Sequence, residues 1–192
     1  MTDSDAQVML RFASGDEGAF NYLVEKYHPQ VINTIYRFLG RVAEAEDLAQ
    51  EVFVNVYRSA AKYQPTAKFS TWLYRIVANH CLNYRRDNWR HKVFSLDVED
   101  ASQRTAAQNL LDENLPGPSQ QAEQEELRDT VLAAINALPA NQRMAVVLES
   151  YRGLSQREIG EVLEVSEKAV KSLMARAREN LRQSLAKFVD KI

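Results

Sequence analysis

Arg75, Asn79, Asn83, Arg86 and Arg90 recur at steps of three and four residues. On a helix, at about 100° per residue, they fall within an arc of roughly 80°. Guanidinium groups donate to phosphates and guanine edges, and side-chain amides pair with adenine edges. Trp72 falls at the seam of this stripe, where a flat ring can stack on an unpaired base. The chemistry on offer is recognition of nucleic acid, above all of single strands. His80, Cys81 and His91 lie nearby, but no second cysteine or carboxylate cluster completes a tetrahedral metal set. A metal or thiol enzyme is therefore the weakest reading, and no metal or cofactor is expected.

The stripe must be held by a core. Phe69, Trp72, Leu73, Ile76, Val77, His80, Cys81 and Tyr84 repeat with the same period beside it and predict the buried face of one long helix. The stretch 62–92 carries seven bases against one acid and both tryptophans, in a chain of 192 residues with a net charge of −2. Charge is segregated throughout. Residues 1–61 sum to −4, 62–92 to +6, 93–129 to −7, 130–165 to −1 and 166–192 to +4. Two basic blocks flanking an acidic one fit a protein that grips a polyanion at two places. A solvated face beside a core is the competing reading of the first block taken alone.

The second block favours the nucleic acid. Ser155-Gln156-Arg157-Glu158 is a capping box that opens a short helix with Ile159, Val162 and Leu163. A turn at Glu164-Val165 leads to Ser166, which can cap a final helix. The spacing is that of a helix-turn-helix. Val165 is expected to plug its corner, with Ile159, Leu163, Val170 and Leu173 locking the pair. Lys168, Lys171, Ser172, Ala175 and Arg176 then fall on the side that would enter a major groove. Arg178 and Arg182 suit backbone phosphates.

The rest of the chain is read as helical scaffolding. Six Gly, five Pro, 45% hydrophobic and 26% charged residues indicate a soluble, all-α protein. A helix is expected at 3–13 and another from Asp16 with Phe20, Leu23, Val24 and Tyr27. Pro29 is expected to start a third, through Val31, Ile32, Ile35, Tyr36 and Leu39, closed by Gly40. A fourth, about 42–63, sets Leu48, Val52, Val56 and Ala60 inside, and Asp47, Glu51, Val54 and Arg58 outside with Gln50 beside them. Periodicity fails from about Phe94 to Ser119, a stretch read as a flexible acidic linker. Ser119 is expected to open a helix with Leu127, Val131, Leu132 and Ile135. Pro139 is expected to begin the next helix, which Gly153 ends. No apolar run reaches the roughly 18 residues of a membrane span. A single cysteine and an N-terminus without signal-peptide features point to the cytoplasm.

Four segments together resemble bacterial sigma factors of the extracytoplasmic-function group, over nearly the whole chain. They are GAFNYLVEKYHPQVINTIYRFL, DLAQEVFVNVYRSAAKY, FSTWLYRIVANHCLNYRR and LPANQRMAVVLESYRGLSQREIGEVLEVSEKAVKSLMARARENL. The resemblance implies two small helical domains, a sigma domain 2 bundle at 1–93 and a sigma domain 4 helix-turn-helix at 119–192, joined by the linker at 94–118. It implies an alternative sigma factor that is not an enzyme. Asp47, Gln50, Glu51, Phe53 and Val54 would bind core RNA polymerase. Tyr63, Lys68, Phe69, Trp72, Arg75, Asn79, Asn83, Arg85 and Arg86 would meet the −10 element and hold a flipped base. Ser166, Lys168, Lys171, Ser172, Ala175, Arg176 and Arg178 would read the −35 element. Implied partners are the clamp of the largest polymerase subunit, the flap of the second largest, promoter DNA as duplex and melted strand, and an anti-sigma factor.

The sequence departs from the family pattern at Leu173 and Lys168, where many relatives carry a basic or polar and a small residue respectively. Leu173 is expected to face the core, and Lys168 to add a phosphate contact. The competing function is a stand-alone helix-turn-helix regulator. It gives the Asp47 face and the Asn/Arg/Trp stripe no task.

Overall fold

The computed structural model of the chain describes residues 3–40, 42–94, 127 and 130–189. The described residues are helical, with no strand among them. The order is α1 (Ser4–Ala13), α2 (Glu17–Leu39), α3 (Val42–Ser59), a 3₁₀ turn (Ala60–Lys62), α4 (Phe69–Phe94), α5 (residues 130–137), α6 (Ala140–Arg152), α7 (Gln156–Leu163) and α8 (Glu167–Val189). The expected linker beyond Phe94 and the helix start at Ser119 lie outside the described residues.

Helices α1 to α4 form one bundle. Met9, Leu23, Val31, Ile35, Phe38, Val52, Phe69, Leu73 and Val77 are fully buried in its core. Each such side chain contributes roughly 1.5–3 kcal/mol. The inner face expected here is found: Leu48, Val52 and Val56 of α3, and Ala60 in the 3₁₀ turn that follows, are all buried. Helices α6 to α8 form the second unit around Met144, Leu148, Ile159, Val162, Val170 and Ala177.

Local signals fix the ends. Asp16 accepts from the Ala19 amide at 3.2 Å and caps α2. Gly40 takes the left-handed conformation (φ 78°) and donates to the Tyr36 carbonyl at 2.7 Å. A helix break at Pro29 does not occur: α2 is one helix of 23 residues with the proline inside. Pro29 and Glu25, whose carbonyl loses its intrahelical donor, are both exposed, so water can satisfy that carbonyl. Leu23, Tyr27, Val31, Ile35 and Phe38 keep one unbroken buried stripe on the other side.

The two units touch. Helix α7 lies against α4, and α6 lies against α2 and α4. Thr71, Tyr74 and Ala78 are buried as a second face of α4, one that the sequence pattern did not single out.

Candidate polymerase and nucleic-acid interfaces

The outer face of α3 is open. Asp47, Gln50, Glu51 and Val54 are exposed and line a groove of about 730 Å³ with Asn55, Arg58 and His80. Val54 is 48% exposed, an apolar anchor among charges. His80 faces Glu51 at 3.4 Å and Asn55 at 3.3 Å. Cys81 is fully buried, and burial pushes its thiol far up, away from reactive thiolate. Phe53 is different from its four companions: it is buried, with its ring 5.7 Å from that of His28.

On α4, the expected stripe divides. Asn79, Asn83 and Arg86 are exposed, and among the described residues Arg86 pairs with its neighbour Asp87 alone. Arg90 lies among side chains outside the described set. Lys68, Arg75 and Arg85 all reach the second unit. Lys68 Nζ sits 2.7 Å from Glu158 Oε1. Arg75 Nε donates to the Glu161 carbonyl at 3.2 Å, and an Arg85 nitrogen donates to the Leu138 carbonyl at 3.3 Å.

The aromatic residues form a wall beside the stripe. Tyr63 lies edge-on to Trp72 at 4.9 Å between centroids, and Phe69 is 5.7 Å from Trp72 and 5.2 Å from Tyr27. Tyr63 and Phe69 are buried, while Trp72 is half-buried. Burial first, and Asp3 second, push the Tyr63 phenol up to about 12. Of the three rings, Trp72 alone keeps surface on which a base could stack.

The helix-turn-helix is present. Ser155 Oγ accepts from the Glu158 amide at 3.3 Å, and Glu158 accepts from the Ser155 amide at 2.9 Å. Glu164 turns the chain at φ 55°, and Ser166 caps α8 by accepting from the Ala169 amide at 3.2 Å. The corner closes differently from the expectation. Val165 is 38% exposed and plugs nothing. Gly160 lets the chain cross instead: a Cβ there would stand 2.8 Å from the Val165 carbonyl oxygen. Val162, Met174 and Ala177 are buried with Ile159 and Val170, while Leu163 and Leu173 are only half-buried. Leu173 thus lies at the margin of the core, not in it.

Lys168, Lys171, Ser172, Ala175, Arg176 and Arg178 are all exposed on α8. Lys171 pairs with Glu167 at 2.9 Å and Arg178 approaches Glu149 at 3.8 Å. Such exposed pairs are weak and yield readily to phosphate.

The chain matches the family model of Sigma-70 region 2 over residues 23–91 and that of Sigma-70 region 4 over residues 128–181. It is 33% identical over 184 residues to the RNA polymerase sigma-H factor of Pseudomonas aeruginosa, covering 95% of this chain and 94% of that one. The chain belongs to the sigma-70 family of sigma factors. Within the family it falls in the extracytoplasmic-function group. It is 37% identical to the sigma factor SigW of Bacillus subtilis (89% and 91% covered) and 32% identical to the sigma-E factor of Escherichia coli K12 (92% and 91%). Among solved structures it resembles CnrH in complex with the cytosolic domain of CnrY, with a TM-score of 0.70, 25% identity and coverage of 96% and 99%. The sigma factor RpoE of Bartonella quintana, solved with the anti-sigma factor NepR, shares the fold with a TM-score of 0.65, 20% identity and coverage of 87% and 96%. As a sigma factor, the chain binds core RNA polymerase and directs initiation at promoters; it is not a stand-alone regulator. No helix among the described residues is long and apolar enough to cross a membrane.

Sequence reasoning missed Arg143. It is 5% exposed and donates to the carbonyls of Ile135, at 3.0 Å, and of Phe38. No periodic pattern marks an arginine whose partners are carbonyls from two other helices.

Proposed function

We propose that the three faces divide the work of a sigma factor. Asp47, Gln50, Glu51 and Val54 on α3 dock to the clamp of the largest polymerase subunit. Phe53 supports that face from beneath, fixing α3 against α2. Domain 4 meets the flap of the second-largest subunit. An acidic face repels DNA, so a protein partner suits α3.

On α4, Asn79, Asn83, Arg86, Arg75, Arg85 and Lys68 contact the −10 element, with Trp72 as the stacking ring. Tyr63 and Phe69 build the wall of the pocket for a flipped base and do not stack on it. Extruding a base costs a few kcal/mol, which stacking at about 1–3 kcal/mol per base and edge hydrogen bonds can offset. On α8, Lys171, Ser172, Ala175 and Arg176 read the −35 element, Lys168 and Arg178 hold phosphates, and Ser166 fixes the start of the helix. The units divide as 1–93 and 119–192, with 94–118 as the connection.

The chain performs no bond chemistry itself and works in the cytoplasm with the polymerase. CnrH and the Bartonella RpoE were each solved with a protein partner, the second an anti-sigma factor. An anti-sigma factor is the regulator proposed for this chain too.

The observation that carries this reading is the pairing of an open acidic face on α3 with an amide-and-arginine face on α4 in one rigid bundle. Run-off transcription with core polymerase on a panel of candidate promoters tests it. Initiation at defined start sites is expected only when the chain is added, and its absence on every template would overturn the reading.

A further inference from the structure

We propose that Asp5 and Tyr27 are positioning residues for promoter opening: Asp5 of α1 fixes the ring of Tyr27, and Tyr27 sets Phe69 and Trp72 at the mouth of the −10 pocket. Both are buried, so neither can touch DNA itself. The proposal rests on α4 being the −10 reader and Trp72 its stacking ring.

The anchor is a buried polar triad. Asp5 lies in the first turn of α1 and is 6% exposed; Tyr27 of α2 is as deeply buried. The Lys26 ammonium donates to both Asp5 oxygens at 2.7 Å, and the Tyr27 hydroxyl donates to Asp5 Oδ2 at 2.6 Å. Burial first, and the hydrogen bond to Asp5 second, push the Tyr27 phenol far above its ordinary range, so it stays a donor. As a fastening of α1 to α2 alone, the triad is a poor choice. Apolar side chains of similar volume often hold two helices as well or better, because no charge has to leave water. What the triad adds is direction: a hydrogen bond of defined length and angle sets where the Tyr27 ring comes to rest.

That ring packs against the wall of the pocket. Its centroid is 5.2 Å from that of Phe69, the first residue of α4. Phe69 is fully buried, and its side chain has no polar atom with which to fix itself. It is held by the rings around it: Tyr27, Trp72 at 5.7 Å and Tyr63 at 6.3 Å. Tyr63 in turn meets Trp72 edge-on at 4.9 Å. A continuous line of contacts thus runs from a buried carboxylate to the ring open to a base, through Asp5, Tyr27, Phe69 and Trp72. Asp3, two residues before Asp5, accepts from the backbone amide of Phe69. Helix α1 therefore grips the first residue of α4 twice, by its backbone through Asp3 and by its ring through Asp5 and Tyr27.

The consequence falls on the captured base. A stacking ring helps most when it is already in place, because ordering a side chain on binding subtracts from affinity. Trp72 is half-buried, so its buried neighbours must hold it still. Tyr27→Phe keeps the volume and the apolar contacts of the ring, and it leaves Asp5 paired with Lys26. A residue that only fills the core would change stability alone. A positioning residue also changes how tightly the unpaired strand is held.

The test uses holoenzyme assembled on core polymerase and a promoter at which the chain initiates, made as a fork with its non-template −10 strand unpaired. Tyr27→Phe should weaken binding of the fork about three- to tenfold, the span expected for one lost hydrogen bond. Affinity for core polymerase should stay within about twofold, since α3 is untouched. Asp5→Leu removes the acceptor and leaves Lys26, 37% exposed, free to turn to water; it should give the same loss. A double-mutant cycle reads the route: in a Trp72→Ala background, Tyr27→Phe should cost no further affinity. Phe12→Leu is the control for stability, because Phe12 lies in the last turn of α1 against Phe20 and Tyr57; it should lower the urea midpoint and leave fork binding unchanged. Native binding by Tyr27→Phe, an equal further loss in the Trp72→Ala background, or the same loss in Phe12→Leu would each overturn the positioning role. Trp72→Ala holoenzyme that holds the fork as tightly as the native one would show that the stacking ring is misassigned, and the proposal falls with it. That outcome is told apart from the others because Tyr27 is intact in it.

Discussion

Asp3 caps two helices at once: one carboxylate oxygen accepts from the Asp5 amide at 3.2 Å and the other from the Phe69 amide at 2.5 Å. Phe69 is the first residue of α4, so the start of that helix is held by a side chain 66 residues earlier. Asp3→Ala removes both caps and should destabilise the chain by about 1–2 kcal/mol. Asp3→Asn should fall between Asp3→Ala and the native chain, because its single amide oxygen can accept for one helix while its NH2 presents a donor to the other amide. Urea unfolding of the three proteins gives the comparison, and equal midpoints for Asp3→Ala and the native chain would rule the double cap out.

The Glu158 carboxyl is drawn from 4.5 to about 2, first by the Lys68 ammonium and then by the Ser155 amide. A lowered carboxylate contributes stability that is complete above 4.5 and is lost as pH falls through about 2. The native chain should therefore lose more stability between pH 5 and pH 2 than E158Q does. Other carboxylates titrate in both proteins, so the difference between the two curves is the readout. The Lys68 side chain is 68% exposed, so added salt should shrink that difference. Parallel curves would show that Glu158 is not coupled to Lys68.

Asp47 and Val54 share the open groove on α3. Asp47→Lys reverses a charge where no described partner depends on it, so circular dichroism and melting temperature should stay the same. Polymerase affinity should fall about tenfold or more, which is roughly 1.4 kcal/mol. Binding to core polymerase immobilised on a sensor measures it, and an unaltered affinity would remove α3 from the docking surface.

Much of this was legible because each helix announces its own ends and faces. Asp16, Gly40, Gly153 and the Ser155–Glu158 box act within a few residues of themselves, and so does the stripe Leu48–Val52–Val56. Pro29 misled because a missing donor breaks a helix only when nothing else can satisfy the carbonyl, and solvent can here. Val165 misled because the tight corner is made by the absence of a side chain at Gly160. The sequence pattern reads Arg85 as one more contact to the −10 element and does not single out Arg143. The carbonyls they reach across the two units, Leu138 for Arg85 and Phe38 for Arg143, are more than 50 residues away, and no local pattern encodes a contact between domains.

Asn79 is exposed on α4, free of the contacts that engage Lys68, Arg75 and Arg85. Asn79→Ala should lower open-complex formation by about 1–3 kcal/mol if its amide pairs with a base edge. Polymerase binding should stay within about twofold, since α3 is untouched. Permanganate footprinting of melted thymines, set beside holoenzyme assembly, separates the two. Equal losses in both would count against the pocket.

Arg176 is exposed on α8, with no ion pair among the described residues, unlike Arg178 and Lys171. A guanidinium left free can donate N–H groups from two of its nitrogens to one guanine. Arg176→Ala should then cost about 1–3 kcal/mol at the native −35 sequence and almost nothing at a sequence mutated in the base it reads. Lys171→Ala, by contrast, removes a charge already shared with Glu167. If Lys171 touches phosphate alone, its loss should weaken every sequence alike and flatten the salt dependence by about one counterion. Affinity measured on a −35 library at two salt concentrations distinguishes base reading from phosphate holding. A uniform loss for Arg176→Ala would reassign it to the backbone.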